Sequence, residues 1–167
     1  MRGSPLESAR QVALQLLQMI QSDDERNGFK TTCFAWTFSD EPLLIGAEVE
    51  AGVLLNLPLR SGGASMLGRA LSAAVASTEY LLERHRFEHP SRRAVQPTIS
   101  TLVIGDFQPS DEWLAPAVRL AKLGRLTLFA TVNKLLPEHQ ALLSTFHAVC
   151  YCQELTLVDL SESLRSR

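Results

Sequence analysis

The chain predicts an α/β protein built on a three-layer, mostly parallel sheet, and three observations carry that expectation. Strand-like apolar runs alternate with amphipathic helical runs from Phe29 onward. The links between these runs are short, as crossovers through helices require. The run from Phe29 to Phe38 places apolar residues at both parities, the mark of a strand covered on both faces. With 167 residues, 46% of them hydrophobic, a single domain over 1–167 buries an adequate core.

In order, Ser4-Pro5-Leu6-Glu7 forms a capping box, with Ser4 as N-cap, Pro5 first in the helix and Glu7 reaching back to the Ser4 amide. Ala9, Val12, Ala13, Leu16, Leu17 and Ile20 recur at helical spacing, and the charged run Ser22 to Gly28 is expected to end the helix in a turn. A helix in the opening position is unusual for an α/β chain. Its apolar residues form a face and not a continuous centre, so it does not read as a signal peptide. After the strand at 29–38, Ser39-Asp40-Glu41-Pro42 turns the chain, and Leu43 to Ala47 is expected to pair antiparallel at a sheet edge. Val53, Leu54, Leu55 and Leu57 belong to a connection of undetermined form. Leu67, Ala70, Leu71, Ala74, Leu81 and Leu82 mark the next helix, followed by a polar loop from Phe87 to Gln96 and a strand from Thr98 to Ile104. Trp113, Leu114, Ala117, Val118 and Ala121 mark a helix whose regular part Pro116 delays beyond Ser110. Leu126 to Val132 is the next strand. Pro137 opens a short helix with Leu142, Leu143 and Phe146 inward, Ala148 to Tyr151 is the last strand, and Thr156-Leu157-Val158-Asp159 caps a closing helix.

Sixteen Lys plus Arg against eighteen Asp plus Glu leave a charge of −2, so no overall field favours nucleic acid or an anionic membrane. The basic cluster Arg84, His85, Arg86, Arg92 and Arg93 is interrupted by Glu88 and reads as a solvated loop. No apolar run approaches the ~18 residues of a membrane span. Cys33, Cys150 and Cys152 are odd in number, which favours a reducing cytoplasm over a disulfide framework. Cys150-Tyr151-Cys152 has no second pair of ligands, so buried thiols are expected there and not zinc.

Two stretches bear chemistry. In Val103-Ile104-Gly105-Asp106-Phe107-Gln108-Pro109-Ser110-Asp111-Glu112-Trp113 a strand ends in a lone carboxylate and a helix start follows. Ligands of open α/β sheets bind at that rim, although an isolated strand-end Asp equally caps its own turn. In Arg60-Ser61-Gly62-Gly63-Ala64-Ser65-Met66-Leu67-Gly68, glycines precede a helix and Ser65 stands at its start. That hydroxyl can cap the helix, join a phosphate site or ligate a hard cation, and capping is the commonest of the three. The Gly-x-x-x-x-Gly-Lys-Ser/Thr pattern of phosphate loops is absent.

Together the two stretches resemble the von Willebrand factor A domain, in its small bacterial branch associated with tellurite resistance and stress operons. In that branch Gly-Gly-Thr-Ser-Leu-Gly opens the helix after the third strand, and Thr-Asp-Gly-Glu-Pro-Thr-Asp-Asp-Trp follows the fourth. The matching text is Gly63-Ala64-Ser65-Met66-Leu67-Gly68 and Gly105 to Trp113, where Asp, Pro and Trp fall at the family's offsets. The resemblance covers nearly the whole chain and implies a Rossmann-like sheet of order 3-2-1-4-5-6. It also implies a metal-ion-dependent adhesion site, in which Mg²⁺ is held by an Asp-x-Ser-x-Ser loop after strand one, a Thr after strand three and an Asp after strand four. By resemblance Ser65 stands for the Thr and Asp106 for the Asp. Phe107 replaces the family's usual glycine and is expected to crowd the site.

The Asp-x-Ser-x-Ser motif is not in the sequence. In the family it is followed by Met, a basic or polar residue, Gly and Pro, so Met1-Arg2-Gly3-Ser4-Pro5 reads as the text just after it. The expectation is an N-terminally truncated sheet without its central strand one or three of its five metal ligands, leaving a slot between the strands at 29–38 and 98–104. Either the start lies at an internal Met of a longer protein, or the strand was lost in a decayed copy, or four leader residues fit by accident. The well-placed Ser4 cap favours the first two.

The resemblance implies a non-enzymatic, cytoplasmic protein-interaction module, a signalling or stress-response scaffold with kinase and phosphatase neighbours. A partner's carboxylate would complete the coordination of the cation. Mg²⁺ binding belongs to a full-length form and is expected to be weak or absent in this chain. Two other classes compete. An enzyme would use Asp106 in phosphoryl transfer, which requires companion carboxylates and a rim lysine, and Lys122 and Lys134 are poorly placed for that. A structural subunit would be completed by a partner's strand. His85, His89, His139 and His147 recur at no fixed spacing and read as solvent-exposed.

Overall fold

A computed structural model of the chain describes residues 5–28, 30–56, 66–90, 97–132, 135–140 and 143–152. The first helix, α1 (Pro5–Asn27), is longer than expected, because the charged run from Ser22 stays helical. Pairs four residues apart hold that end: Gln21 Nε2 donates to Glu25 Oε1 at 3.2 Å, and Asn27 Nδ2 donates to Asp23 Oδ1 at 2.8 Å. Gly28, at φ 65°, then stops the helix in the left-handed conformation that suits a residue without Cβ. Asp24 turns the chain onward by accepting the amide and the hydroxyl of Thr31, at 2.8 and 2.6 Å. The Ser4 cap lies outside the described residues.

Strands β1 (Cys33–Phe38) and β2 (Pro42–Val49) form the expected antiparallel pair, with Trp36 opposite Leu44 and Phe38 opposite Pro42. The connection of undetermined form begins as a single turn, α2 (Ala51–Leu54). Helix α3 (Leu67–Glu88) runs past the expected loop start, so Arg84, His85 and Arg86 are helical. Arg84 is not part of a solvated loop; its Nη1 lies 2.7 Å from Glu48 Oε2 and ties α3 to β2.

Strand β3 (Ser100–Gly105), helix α4 (Leu114–Leu123), strand β4 (Arg125–Ala130), the turn α5 (Pro137–Gln140) and strand β5 (Ala148–Tyr151) follow. The three strands form a parallel sheet of order β3-β4-β5, with Val103 beside Leu128 and Phe129 beside Cys150. The closing helix expected at 156–159 lies outside the described residues.

Alternation along the strands divides the core into two layers. Leu102, Ile104, Phe129 and Cys150 face Val12 and Leu16 of α1. Val103, Leu126, Leu128 and Ala130 face Leu67, Leu71 and Val75 of α3 and Ala117 and Leu120 of α4. The helix–sheet–helix stacking expected of this sequence is therefore present, but the strands belong to two sheets. Among the described residues β1 pairs only with β2 and β3 only with β4. Burial follows that division. Leu126 to Ala130 of β4, flanked on both sides, are 0% exposed, whereas no residue of β1 is fully buried and only Val103 is in β3. Among the described residues no helix is long and apolar enough to cross a membrane.

Two outcomes follow from this core. The Thr127 side chain is fully buried on the α1 face, and its Oγ1 has no hydrogen-bond partner among the described residues. Because an unsatisfied buried hydroxyl costs ~1–3 kcal/mol, Thr127→Val is expected to raise the urea midpoint, a gain of about 1 kcal/mol. No disulfide joins the three cysteines, which are half-buried. Burial, together with neighbouring Cys150, pushes the Cys152 thiol from 9.0 to about 11. The folded state thus favours the protonated thiol, so this contribution to stability is complete below pH 9.0 and is lost as pH rises toward about 11. Iodoacetamide at pH 8 should label Cys152 far more slowly than it labels the urea-unfolded chain, as read by peptide mass spectrometry.

Candidate functional site

The carboxyl end of β3 delivers Asp106 to the rim of the sheet, half-exposed. Its Oδ1 accepts the Gln108 amide at 3.2 Å, so this carboxylate caps its own turn, the simpler of its two sequence readings. Phe107 comes next at φ 54°, a left-handed backbone that costs a residue bearing Cβ ~1–2 kcal/mol. The backbone aims the ring inward. It is 3% exposed and packs edge-on against Trp113 at 4.7 Å and Phe146 at 5.6 Å between ring centres. Aromatic burial of that kind offsets the strained turn.

The loop then crosses to the start of α3. Met66 stands in the N-cap position and has no side chain able to bond the exposed amides of the first turn. Asp111 supplies the acceptor from elsewhere in the chain. Its Oδ1 takes the Gly68 amide at 2.8 Å and its Oδ2 takes the Arg69 amide at 2.9 Å, placing a negative charge at the positive end of the helix. The Ser110 hydroxyl lies 3.9 Å from Met66 Sδ. A Cβ on Gly68 would stand 2.0 Å from the Glu112 carbonyl oxygen, so only glycine admits the loop this close. On its other side the Met66 amide donates to Ser39 O at 3.0 Å, just past the end of β1.

The two stretches that carry the family resemblance therefore meet in space, through Asp111 and the backbone of Glu112. Ser65, the hydroxyl expected to face Asp106, lies outside the described residues. Asp111 itself was read from the sequence as part of the next helix start, yet α4 begins only at Leu114. Local spacing did not point to its role, since the sequence offers Ser65 as the cap of this helix whereas Met66 takes the N-cap position. The phosphate reading of this helix start loses its ground, since Asp111 already occupies the amides of Gly68 and Arg69.

Lys122, a candidate rim lysine, sits near the end of α4 just before β4 begins, at the rim opposite Asp106. Lys134 lies outside the described residues. His89 and His147 are exposed as expected, His85 and His139 are half-buried, and each makes a contact. His147 Nδ1 accepts the Leu126 amide at 3.0 Å, His139 stands edge-on to Phe107 at 5.6 Å, and the His85 and His89 rings lie 4.9 Å apart. An open depression of about 320 Å³, lined by Val118, Lys122, Ser144 and His147, belongs to that opposite rim. Among the described residues no group of three or more His, Cys, Asp or Glu side chains is placed to hold a metal ion.

No family model, curated protein or solved structure matches the chain.

The two aspartates are expected to separate on substitution. Asp111→Ala should lower the unfolding free energy by about 1–2 kcal/mol, the usual cost of a lost helix cap. Asp106→Ala, at an exposed turn, should stay within about 0.5 kcal/mol in the same urea titration.

Proposed function

We propose that this chain is a non-enzymatic protein-interaction module of the von Willebrand factor A type, acting in the cytoplasm as a signalling or stress-response scaffold with an incomplete metal-ion-dependent adhesion site. The division of the sheet supports this reading. A sheet of order 3-2-1-4-5-6 without strand one falls into 3-2 and 4-5-6. This chain forms β2-β1 and β3-β4-β5, with its interruption at the same place. The joining of the Gly68 and Asp111 stretches adds to that support, since these are the two stretches in which the resemblance resides.

In this reading Ser65 and Asp106 are the two remaining metal ligands. They cannot alone supply the octahedral oxygen set that Mg²⁺ requires, so the cation binds weakly and a partner's carboxylate is needed to hold it. Kinases and phosphatases are the neighbours that the resemblance supplies. Phosphoryl transfer at Asp106 has less support, because that carboxylate is engaged in its own turn and Lys122 lies at the far rim.

Restoring the motif tests the kinship. A fusion placing an apolar strand that ends in Asp-Ser-Ser-Gly-Ser ahead of Met1 should bind Mg²⁺ in isothermal titration. The chain alone should give no saturable heat in the micromolar range. Ser65→Ala and Asp106→Asn should each abolish the binding gained by the fusion. A fusion that takes up no Mg²⁺, or micromolar binding by the unextended chain, overturns the proposal.

A further inference from the structure

The interruption between β1 and β3 has the properties of an acceptor for a strand. The carboxyl ends of the two strands lie at the same end of the molecule. Phe38 of β1 reaches across to Gly105 of β3, where an added Cβ would come 3.2 Å from its Cζ. Their separation is thus bridged by a phenylalanine side chain and not by main-chain pairing, which needs strands ~4.8 Å apart. Helix α3 lies beside both strands, since it packs against β1, shares a core cluster with Val103 of β3 and bonds the Ser39 carbonyl beyond β1 through its N-cap amide. Each inward-facing edge carries a row of main-chain donors and acceptors with no strand partner among the described residues.

Composition separates these edges from an ordinary outer edge. Natural sheets guard exposed edges with charges, prolines or irregular backbone. The outer strand β2 has such guards, Pro42 at its start and Glu48 at φ 53°. By contrast β1 reads Cys-Phe-Ala-Trp-Thr-Phe and β3 reads Ser-Thr-Leu-Val-Ile-Gly, with no charge and no proline in either. Both have the sequences of interior strands, yet their burial falls short of that of β4, the one described strand paired on both sides.

We propose that the partner of this module contributes an extended, uncharged segment of about six residues, apolar at both parities, which enters between β1 and β3 and joins the two sheets into one. This inference deepens the docking role proposed above and rests on that role for the existence of a partner. Its geometric basis does not involve the metal site. Main-chain bonds to both edges supply the affinity, and the helical layers select apolar side chains on each face.

Hydrogen exchange read by mass spectrometry tests it on the full chain without Mg²⁺. The probe is a synthetic peptide copying the uncharged run Leu126 to Thr131, which holds all but the first residue of β4, the one described strand of this protein that pairs on both sides, with solubilising lysines beyond each end. At a peptide concentration ten times its dissociation constant, exchange at 33–38 and at 100–105 should slow together by about tenfold. A peptide methylated at every backbone nitrogen should give no protection. Phe38→Ala, which removes the ring from the carboxyl end of the interruption, should bind the peptide at least as tightly. Protection confined to β2 or β5, or none at all, overturns the proposal. So does self-association in sedimentation that protects β1 and β3 without peptide, because the occupant is then a second copy. Each of these results is independent of whether the fusion binds Mg²⁺.

Discussion

The first turn of α3 joins parts that would otherwise be separate. Its N-cap amide binds the carbonyl beyond β1, and its next free amides bind the Asp111 carboxylate from the loop beyond β3. Among the described residues the two sheets share no ladder of hydrogen bonds, so this helix start, with the apolar contacts behind it, performs the alignment that a continuous sheet would otherwise provide. Asp111 can do so only because Gly68 lets the Glu112 carbonyl into contact. A capping residue within the helix would satisfy the same amides and leave β3 unconnected to α3 at this point.

The sequence made some of these features readable and concealed others, for physical reasons. The β1-β2 hairpin and β5 were legible because short apolar runs bounded by turn residues have few alternative structures. The tail of α1 was misread because Ser22, Asp23, Asp24 and Asn27 each favour turns when taken singly. The Asn27 side-chain amide, bonded to the carbonyl and the carboxylate of Asp23 four positions back, opposes that preference. The division between β1 and β3 was expected from motif offsets and not from periodicity, because local spacing does not say which strands pair. Asp111 was not legible as a cap, because its partners lie 43 and 42 positions away and no rule of local spacing connects them. His147 escaped notice for the same reason: its ring nitrogen serves the first buried residue of β4, across 21 positions.

The interruption also changes how β3 should be regarded. As the leading strand of a parallel sheet it has the composition of a buried centre and the pairing of an edge. Parallel strands in ordinary domains avoid that combination by being covered on both flanks. Here helices pack on its two faces while its outer row of main-chain groups has no strand partner among the described residues, so side-chain burial and strand pairing are uncoupled along one strand.

Phe107 carries a further consequence. Its left-handed backbone and its buried ring are a single commitment, because the turn aims the ring inward and the aromatic cluster holds the turn. Asp106 and Gln108, on either side of it, owe their hydrogen bond to that arrangement. The shape of the rim is thus dictated from beneath. Loosening Trp113 or Phe146, both buried, would let the turn relax toward an extended conformation and redirect the Asp106 carboxylate, so the chemistry of this edge is governed by the packing of residues in the core.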